Sequence, residues 1–219
     1  MNDAINRTRL PSTTILAENG NEVQSFGTVY SEFVRSEELP QYLVDAIIFT
    51  EDKRFYKHNG VDFLALTRAI TKLINRDAIT QGGSTITQQL AKTLYPRQDV
   101  SSKIPGVSII KMVWIKLKEW VTAVKLERSY TKDEIMNMYM NAIFFGSNAY
   151  GIKAAAQTFF SKSPGDLTVE EAATLVGMVN KPTRYNPALN PERSLERRNL
   201  VISRMEQNGF LTKEECDSI

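Results

Sequence analysis

The chain has 219 residues, with 27 lysines and arginines against 25 aspartates and glutamates, so its formal net charge is +2. Its composition, 42% hydrophobic and 24% charged, is typical of a packed globular domain and excludes a collagen-like or disordered chain. One cysteine, Cys216, and one histidine, His58, exclude a disulfide within the chain and a Cys/His zinc cluster. The near-neutral charge gives no indication of nucleic-acid binding.

The sequence contains neither a membrane span nor a signal peptide. It has no uninterrupted run of about 18 apolar residues. The first residues, MNDAINRTRLPSTT, lack the apolar stretch of a secretory signal. We therefore expect either a cytosolic protein or a piece of a larger one.

The N-terminal region predicts a short β arm, and the rest predicts helices. TTILAENGNEVQSF places two apolar-alternating runs around Asn19–Gly20, a dipeptide that favours a type I′ hairpin turn. After Pro40, residues such as Leu43 and Ile47 follow helical spacing. The sequence therefore predicts a mainly α domain with a short N-terminal β arm.

Helix boundaries are marked by capping residues. Thr131 with Glu134 and Thr168 with Glu171 have the spacing of capping boxes, in which the two side chains accept from the free amides of the first helical turn. Pro191 suits a first helical position, and Asn208–Gly209 suits a helix end.

The first segment with candidate chemistry is EDKRFYKHNG, residues 51–60. A carboxylate at a helix end beside aromatic rings can be partly desolvated, and desolvation raises its pKa and suits it to proton transfer. Glu51 and Asp52 are the candidates. The alternative is a salt-bridged helix terminus, which the residues alone favour, and His58 is expected to be structural.

The second segment is QGGSTITQQ followed by Leu90, Ala91 and Lys92. Its glycines permit close approach of a ligand, and its hydroxyl and amide groups can bind sugar or phosphate. The alternative is a helix start capped by Thr85 and Gln88. The spacing differs from that of a P-loop.

The third segment, residues 103–128, mixes cations with apolar residues. Between Ile104 and Leu117 only Lys111 and Lys116 are charged, and tryptophans flank Lys116. Such a helix suits a membrane interface, and a buried core helix is an equal alternative. Glu119 in this apolar neighbourhood needs a cation such as Lys116 as its partner.

Five motifs in order carry a family resemblance. EDKRFYKHNG, GGSTITQQLAK, KLKEW, GIKAAAQTFFSK and LVGMVNKPTRYNP follow the order and approximate spacing of the motifs of peptidoglycan glycosyltransferases. The chain resembles the transglycosylase domain of class A penicillin-binding proteins and of their monofunctional relatives. The resemblance extends over about residues 30–208.

The resemblance implies an enzyme that polymerises lipid II into glycan strands. The donor is linked to undecaprenyl pyrophosphate, the acceptor is the 4-hydroxyl of a GlcNAc on lipid II, and the new bond is β-1,4. Such an inverting displacement needs one base and stabilisation of the leaving pyrophosphate. By resemblance, Glu51 is the general base.

The resemblance also assigns the other site residues. Glu119 is the second essential carboxylate, expected to orient a cation, and Lys92 and Lys116 contact the pyrophosphate. The remaining substrate-binding candidates are Arg68, Lys111, Ser84, Thr85, Gln88 and Gln89. Asp52 is the candidate ligand of a divalent cation, Mg²⁺ or Mn²⁺; no other cofactor is expected.

The chain departs from the family pattern in the third and fourth motifs. Ile115 stands where a basic residue is usual, so Lys111 or Arg97 is expected to substitute for it. Phe160 stands where tyrosine is common. The fourth and fifth motifs are expected to be mainly structural, and the spacing of Phe159 and Phe160 predicts that both lie in the core.

The resemblance implies a lysozyme-like fold of two lobes, a head and a membrane-associated jaw. We expect residues 1–30 to form an arm or linker and 31–219 the glycosyltransferase domain, with the jaw within about 61–120. The expected location is the outer face of the bacterial cytoplasmic membrane. The chain is expected to be a fragment without the native anchor helix, and its expected partners are lipid II, nascent glycan, the membrane surface and cell-wall synthesis proteins.

Two alternatives from other functional classes remain open. One is a non-catalytic module that binds lipid II or acts as a scaffold, which Ile115 favours. The other is a lysozyme-like enzyme that cleaves peptidoglycan, against which the pyrophosphate-directed lysines argue.

Overall fold

The computed structural model describes residues 13–16, 22–26, 33–74, 83–95 and 107–219. The chain divides into two compact units. Unit 1 comprises Met1–Thr50 and Met140–Ile219, and unit 2 comprises Glu51–Tyr139.

The described residues form short strands and many helices. The strands are β1 (Thr13–Leu16), β2 (Glu22–Phe26), β3 (Phe144–Gly146) and β4 (Ala149–Tyr150). The helices are α1 (Gln41–Glu51), α2 (Phe63–Ile74), α3 (Ile86–Leu94), α4 (Val107–Ser129), α5 (Lys132–Ala142), α6 (Ile152–Phe160), α7 (Val169–Met178), α8 (Pro191–Gln207) and α9 (Lys213–Ser218). Short 3-10 turns lie at Ser36–Glu38, Phe55–Lys57 and Pro164–Asp166.

The predicted β arm is present in unit 1. β1 and β2 pair antiparallel, with Thr13 opposite Phe26 and Leu16 opposite Glu22. The predicted turn at Asn19–Gly20 lies outside the described residues. The mainly helical fold class with this short arm is therefore confirmed.

The core of unit 1 is built on α7 and α8, which pack together. The large side chains that are fully buried in this unit include Leu43, Ile47, Phe145, Ile152, Leu175 and Met178. The side-chain amide of Asn141 donates to Val34 O, and its oxygen accepts from Val34 N at 2.9 Å. This pair of hydrogen bonds joins α5 to the segment before α1.

The predicted helix boundaries agree with the structure. The two capping boxes form: Glu134 accepts from the Thr131 amide at 2.8 Å, and Glu171 accepts from the Thr168 amide at the same distance. α8 begins at Pro191 and ends before Asn208. The spacing of Phe159 and Phe160 predicted that both lie in the core. The structure shows both side chains only half-buried, so this prediction is wrong.

In unit 2, α3 packs against α4. The loop before α2 also meets α4 at Gly60, whose φ is +90°. A Cβ at this position would lie 2.8 Å from the backbone carbonyl carbon of Ala123. Only glycine combines this left-handed backbone with so close an approach, so Gly60 brings the 51–60 loop onto α4.

Candidate active site

Glu51 lies at the end of α1, and its side chain is held by a residue of α3. It is 7% exposed. The side-chain amide of Gln89 donates to Glu51 Oε2 at 2.9 Å. The Gln89 amide therefore holds one carboxylate oxygen of a buried acid in a defined position.

Asp52 fastens the loop of residues 52–60 to the start of α3. Its two carboxylate oxygens lie 2.9 and 3.0 Å from His58 Nε2, and Oδ2 also accepts from the Ile86 amide at 3.0 Å. His58 Nδ1 accepts from the Gly60 amide at 3.1 Å. Asp52 and His58 are both buried. The expectation that His58 is structural agrees with these contacts.

Thr85 caps α3. This agrees with the alternative given above for QGGSTITQQ, a capped helix start. Its hydroxyl accepts from the Gln88 amide at 3.1 Å and donates to Gly60 O at 2.6 Å. Thr85 and Gln88 are each 2% exposed. In this structure Thr85 therefore positions α3 instead of presenting a free hydroxyl to a ligand.

A second cluster joins α4 to the residue before the α3 cap. The ammonium of Lys116 lies 2.8 Å from Glu119 Oε2 and donates to Ser84 Oγ at 3.1 Å. Glu119 is buried, and its partner Lys116 is partly exposed. The expected pairing of Glu119 with Lys116 is present. Because Ser84 immediately precedes Thr85, one chain segment connects this cluster to Gln89 and Glu51.

The other predicted cations are placed less closely. Lys92 is exposed on α3, one turn beyond Gln88 and Gln89. Arg68 is exposed on α2, where its Nε donates to Leu64 O at 3.1 Å. The backbone of Lys111 belongs to α4, but its side chain lies outside the described residues, as does Arg97. The structure therefore places Gln89 and Lys116 within hydrogen-bonded clusters and leaves Lys92 and Arg68 as surface cations.

Tyr139 is a site residue that the sequence analysis missed. Its hydroxyl donates to Gln89 Oε1 at 3.0 Å, so it reaches Glu51 through one intervening amide. Burial, together with the nearby charges of Glu51 and Asp52, raises the pKa of Tyr139 well above its usual value. A signal was present: the apolar spacing of α5 includes one residue with a hydroxyl.

A third network supports the other side of α3. The buried hydroxyl of Thr87 donates to Glu127 Oε1 at 2.5 Å. Lys132 donates to the same oxygen at 2.7 Å and to His58 O at 2.7 Å. The Lys132 ammonium also lies 4.5 Å from the centre of the Phe55 ring. Thr87 thus joins α3 to α4, instead of being available to sugar.

Unit 2 also has an exposed apolar face. We use this name for Phe63 and Leu64 at the start of α2 and for Val113, Trp114, Leu117 and Val121 on α4. Trp114 is 60% exposed and Phe63 64% exposed. Phe63 meets Trp120 edge to face, with ring centres 6.2 Å apart, which makes the face continuous from α2 to α4. For residues 113–117 the buried-core alternative is therefore wrong, and the side chains of residues 104–112 lie outside the described part of the chain.

Neither a metal cluster nor a membrane span occurs in the part of the chain that the structure describes. Those residues include no group of three or more histidine, cysteine, aspartate or glutamate side chains suited to a metal ion. The Asp52 carboxylate is engaged by His58 and by the Ile86 amide, which does not suit it to hold a cation. Over the same residues, no helix combines the length and hydropathy required to cross a bilayer.

Comparison with known proteins identifies the family. The family model described as Transglycosylase matches residues 19–206, most of the chain. The chain belongs to the transglycosylase family. The family that the motifs predicted, and with it an enzyme of the transglycosylase class, is thus confirmed.

Individual relatives agree with this assignment. Penicillin-binding protein 1F of Bacillus subtilis is 39% identical over 205 residues, which are 94% of this chain and 27% of the relative. Penicillin-binding protein 1A of Aquifex aeolicus is 40% identical over 185 residues, covering 84% and 24%. The chain thus spans about a quarter of the length of these relatives.

A solved structure has the same fold. The crystal structure of penicillin-binding protein 1A from Haemophilus influenzae superimposes with a TM-score of 0.54 and 25% identity. The match covers 95% of this chain and 20% of the crystallised one.

Proposed function

We propose that the chain polymerises lipid II by inverting glycosyl transfer. The donor is the growing strand linked to undecaprenyl pyrophosphate, the acceptor is the GlcNAc 4-hydroxyl of another lipid II, and the product bond is β-1,4. The observation that carries the proposal is the buried Glu51 carboxylate with the Gln89 amide on its Oε2 at 2.9 Å. The family match supports the general reaction class.

Glu51 acts as the general base. It takes the proton of the acceptor hydroxyl as that oxygen forms a bond to the anomeric carbon of the donor. The bond from this carbon to the phosphate oxygen breaks, and the electron pair leaves with the pyrophosphate. None of these steps involves a metal ion bound by the protein. A requirement for Mg²⁺ or Mn²⁺ remains a proposal, in which the substrate carries the cation.

Lysines stabilise the leaving group. Lys116, oriented by Glu119 and Ser84, is the first candidate to meet the developing negative charge on the pyrophosphate. Lys92 follows Gln89 by one turn of α3 and is exposed, so it offers a second cation. Lys111 and Arg68 remain candidates for more distant phosphate contacts, and Ser84 for a contact with sugar or phosphate.

The exposed apolar face gives the chain a membrane-binding surface. Burial of such residues in the boundary between headgroups and acyl chains is favourable, and neighbouring lysines keep their ammonium groups in water. Lys118 lies 5.7 Å from the Trp114 ring centre, an arrangement of this kind. A polyprenyl-linked substrate lies in the same bilayer, so docking through this face brings unit 2 to it. The proposed location is the outer face of the bacterial cytoplasmic membrane, with cell-wall synthesis proteins as further partners.

Reconstitution with purified lipid II tests the proposal. The chain is incubated with lipid II in detergent and in vesicles, and products are separated by length. We expect long glycans that a muramidase cuts to disaccharide units. Binding of lipid II without polymer, where a relative is active, would favour the scaffolding alternative. Release of soluble fragments from sacculi would favour cleavage of existing peptidoglycan.

A further inference from the structure

Three side chains of unit 2 form a short hydrogen-bonded chain that ends on the proposed base. Tyr139 donates its hydroxyl proton to Gln89 Oε1 at 3.0 Å, and Gln89 Nε2 donates to Glu51 Oε2 at 2.9 Å. Tyr139 is 2% exposed and lies on α5, whereas Gln89 lies on α3. The neighbouring core therefore fixes the position of the tyrosine hydroxyl.

The direction of this chain follows from the chemistry of its members. An ionised carboxylate only accepts hydrogen bonds, so the Gln89 amide must turn its NH₂ group toward Glu51. Its oxygen then faces Tyr139, whose hydroxyl must be protonated to donate. Burial and the charges of Glu51 and Asp52 raise the pKa of Tyr139, which keeps this proton in place. All three groups are consistent with one orientation.

We propose that Tyr139 is a positioning residue for Glu51, acting through Gln89 by holding the amide with its NH₂ group toward the carboxylate. A carboxylate that accepts a hydrogen bond binds its proton less tightly. By holding this donor in place, Tyr139 favours the ionised form of Glu51, which is the form that can accept the proton of the acceptor sugar. It touches neither the base nor, in this proposal, the reacting atoms.

Tyr139→Phe removes the donor and keeps the ring. The amide of Gln89 is then free to turn its oxygen toward Glu51, which disfavours the ionised carboxylate. We expect the acidic limb of the pH profile of kcat/KM to move to higher pH by about 0.5–1 unit, a three- to ten-fold change in proton affinity. A residue that only filled space would lower activity at every pH without moving the limb.

Other titratable groups near this chain keep their partners in the variant. Asp52 is paired with His58, Glu119 with Lys116, and Glu127 with Lys132. None of these contacts involves the Tyr139 hydroxyl. A shift of the acidic limb of the pH profile is therefore assigned to Glu51. In the NMR titration, Glu51→Gln identifies the resonance of the Glu51 carboxyl carbon.

The experiment combines two readouts in a double-mutant cycle of Tyr139→Phe and Gln89→Leu. One readout is the pH profile of glycan formation; the other is the titration midpoint of the Glu51 carboxyl carbon, followed by NMR without substrate. Only the first readout, the pH profile of glycan formation, depends on the proposed function. If the wild-type chain makes no glycan, the function fails, while the NMR titration still tests the tyrosine.

We expect a higher midpoint in Tyr139→Phe, no change in the matched control Tyr150→Phe, and no further shift when Tyr139→Phe is added to Gln89→Leu. 3-Fluorotyrosine at position 139 keeps the fold and strengthens the donor, so it should lower the midpoint. An unchanged midpoint with Tyr139→Phe or, should that variant not fold, with 3-fluorotyrosine overturns the proposal. An equal shift in the Gln89→Leu background also overturns it.

Discussion

The ammonium of Lys116 lies 2.8 Å from the buried Glu119 carboxylate and 3.1 Å from the Ser84 hydroxyl. The carboxylate and the hydroxyl hold this ammonium in a defined position just before α3. In the proposed mechanism Glu119 therefore orients a cation and transfers no proton. It also predicts how variants of the pair combine.

Lys116→Met should lower kcat/KM for lipid II polymerisation by about 10²–10³, the effect typical of losing one group that stabilises developing negative charge. Glu119→Gln should have a smaller effect of the same kind, and the double variant should be no worse than Lys116→Met alone. Lys125→Met, exposed on the same helix, is the control. Fully additive losses would show that Glu119 acts independently of Lys116.

Asp52→Asn should destabilise unit 2. Asp52 accepts from both His58 and the Ile86 amide, and an asparagine turns a donor toward one of them. Leaving a buried group unpaired costs about 1–3 kcal/mol of the free energy of unfolding, measurable by urea denaturation. Asp217→Asn, an exposed change, should cost almost nothing. Equal stability of the two variants would contradict the anchoring of α3 by Asp52.

Glu171 should make the stability of unit 1 dependent on pH. Burial alone would raise the pKa of Glu171, but hydrogen bonds from the Thr168 amide and Lys162 outweigh it and lower the pKa. Because the folded pKa lies below the unfolded value of about 4.3, this stabilisation is complete above that value and is lost as pH falls through the folded pKa.

Glu171→Gln should therefore lower the free energy of unfolding at pH 7 by about 1 kcal/mol and converge with the wild type in strong acid. Urea denaturation across pH 2–7 measures both. Glu196→Gln, on the surface of α8, is the control and should follow the wild-type curve. A constant difference at all pH values would place the effect elsewhere than in the Glu171 charge.

The exposed apolar face should govern vesicle binding. Trp114→Ser with Leu117→Ser removes two of its members, so partitioning into anionic phospholipid vesicles should fall at least about ten-fold in a flotation assay. Leu195→Ser with Leu200→Ser changes exposed leucines of α8 and is the matched control. If both double variants lose binding equally, or neither does, this face is not the membrane contact.

Local sequence signals predicted much of the fold because capping and helical periodicity act over a few residues. The capping boxes at Thr131 and Thr168 and the helix start at Pro191 are examples. Partial burial of Phe159 and Phe160 depends on tertiary packing that helical spacing does not encode. The left-handed conformation of Gly60 could not be predicted either, because glycine is required there by the close approach of the Ala123 backbone, which is distant in sequence.

The residues of the candidate site were predicted only in part, because motifs identify residues close together in sequence but not contacts made by the fold. The family motifs pointed to Glu51, Gln89, Lys116 and Glu119, which the structure places in two connected clusters. Tyr139 lay outside the motifs quoted, and only the fold brings it to Gln89. The hydroxyl of Thr85 is of a kind that can bind sugar, but in the structure it caps α3. The residue type alone does not tell whether a hydroxyl contacts the backbone or a ligand.

The most direct measurement compares wild-type chain and Glu51→Gln in turnover and in binding of lipid II. The variant keeps the size of the side chain and removes its ability to accept a proton. We expect the rate of glycan formation to fall by at least about 10², within the usual contribution of a general base, while the Kd for lipid II changes only a few-fold. A variant that polymerises lipid II at the wild-type rate would contradict the assignment of Glu51 as the base.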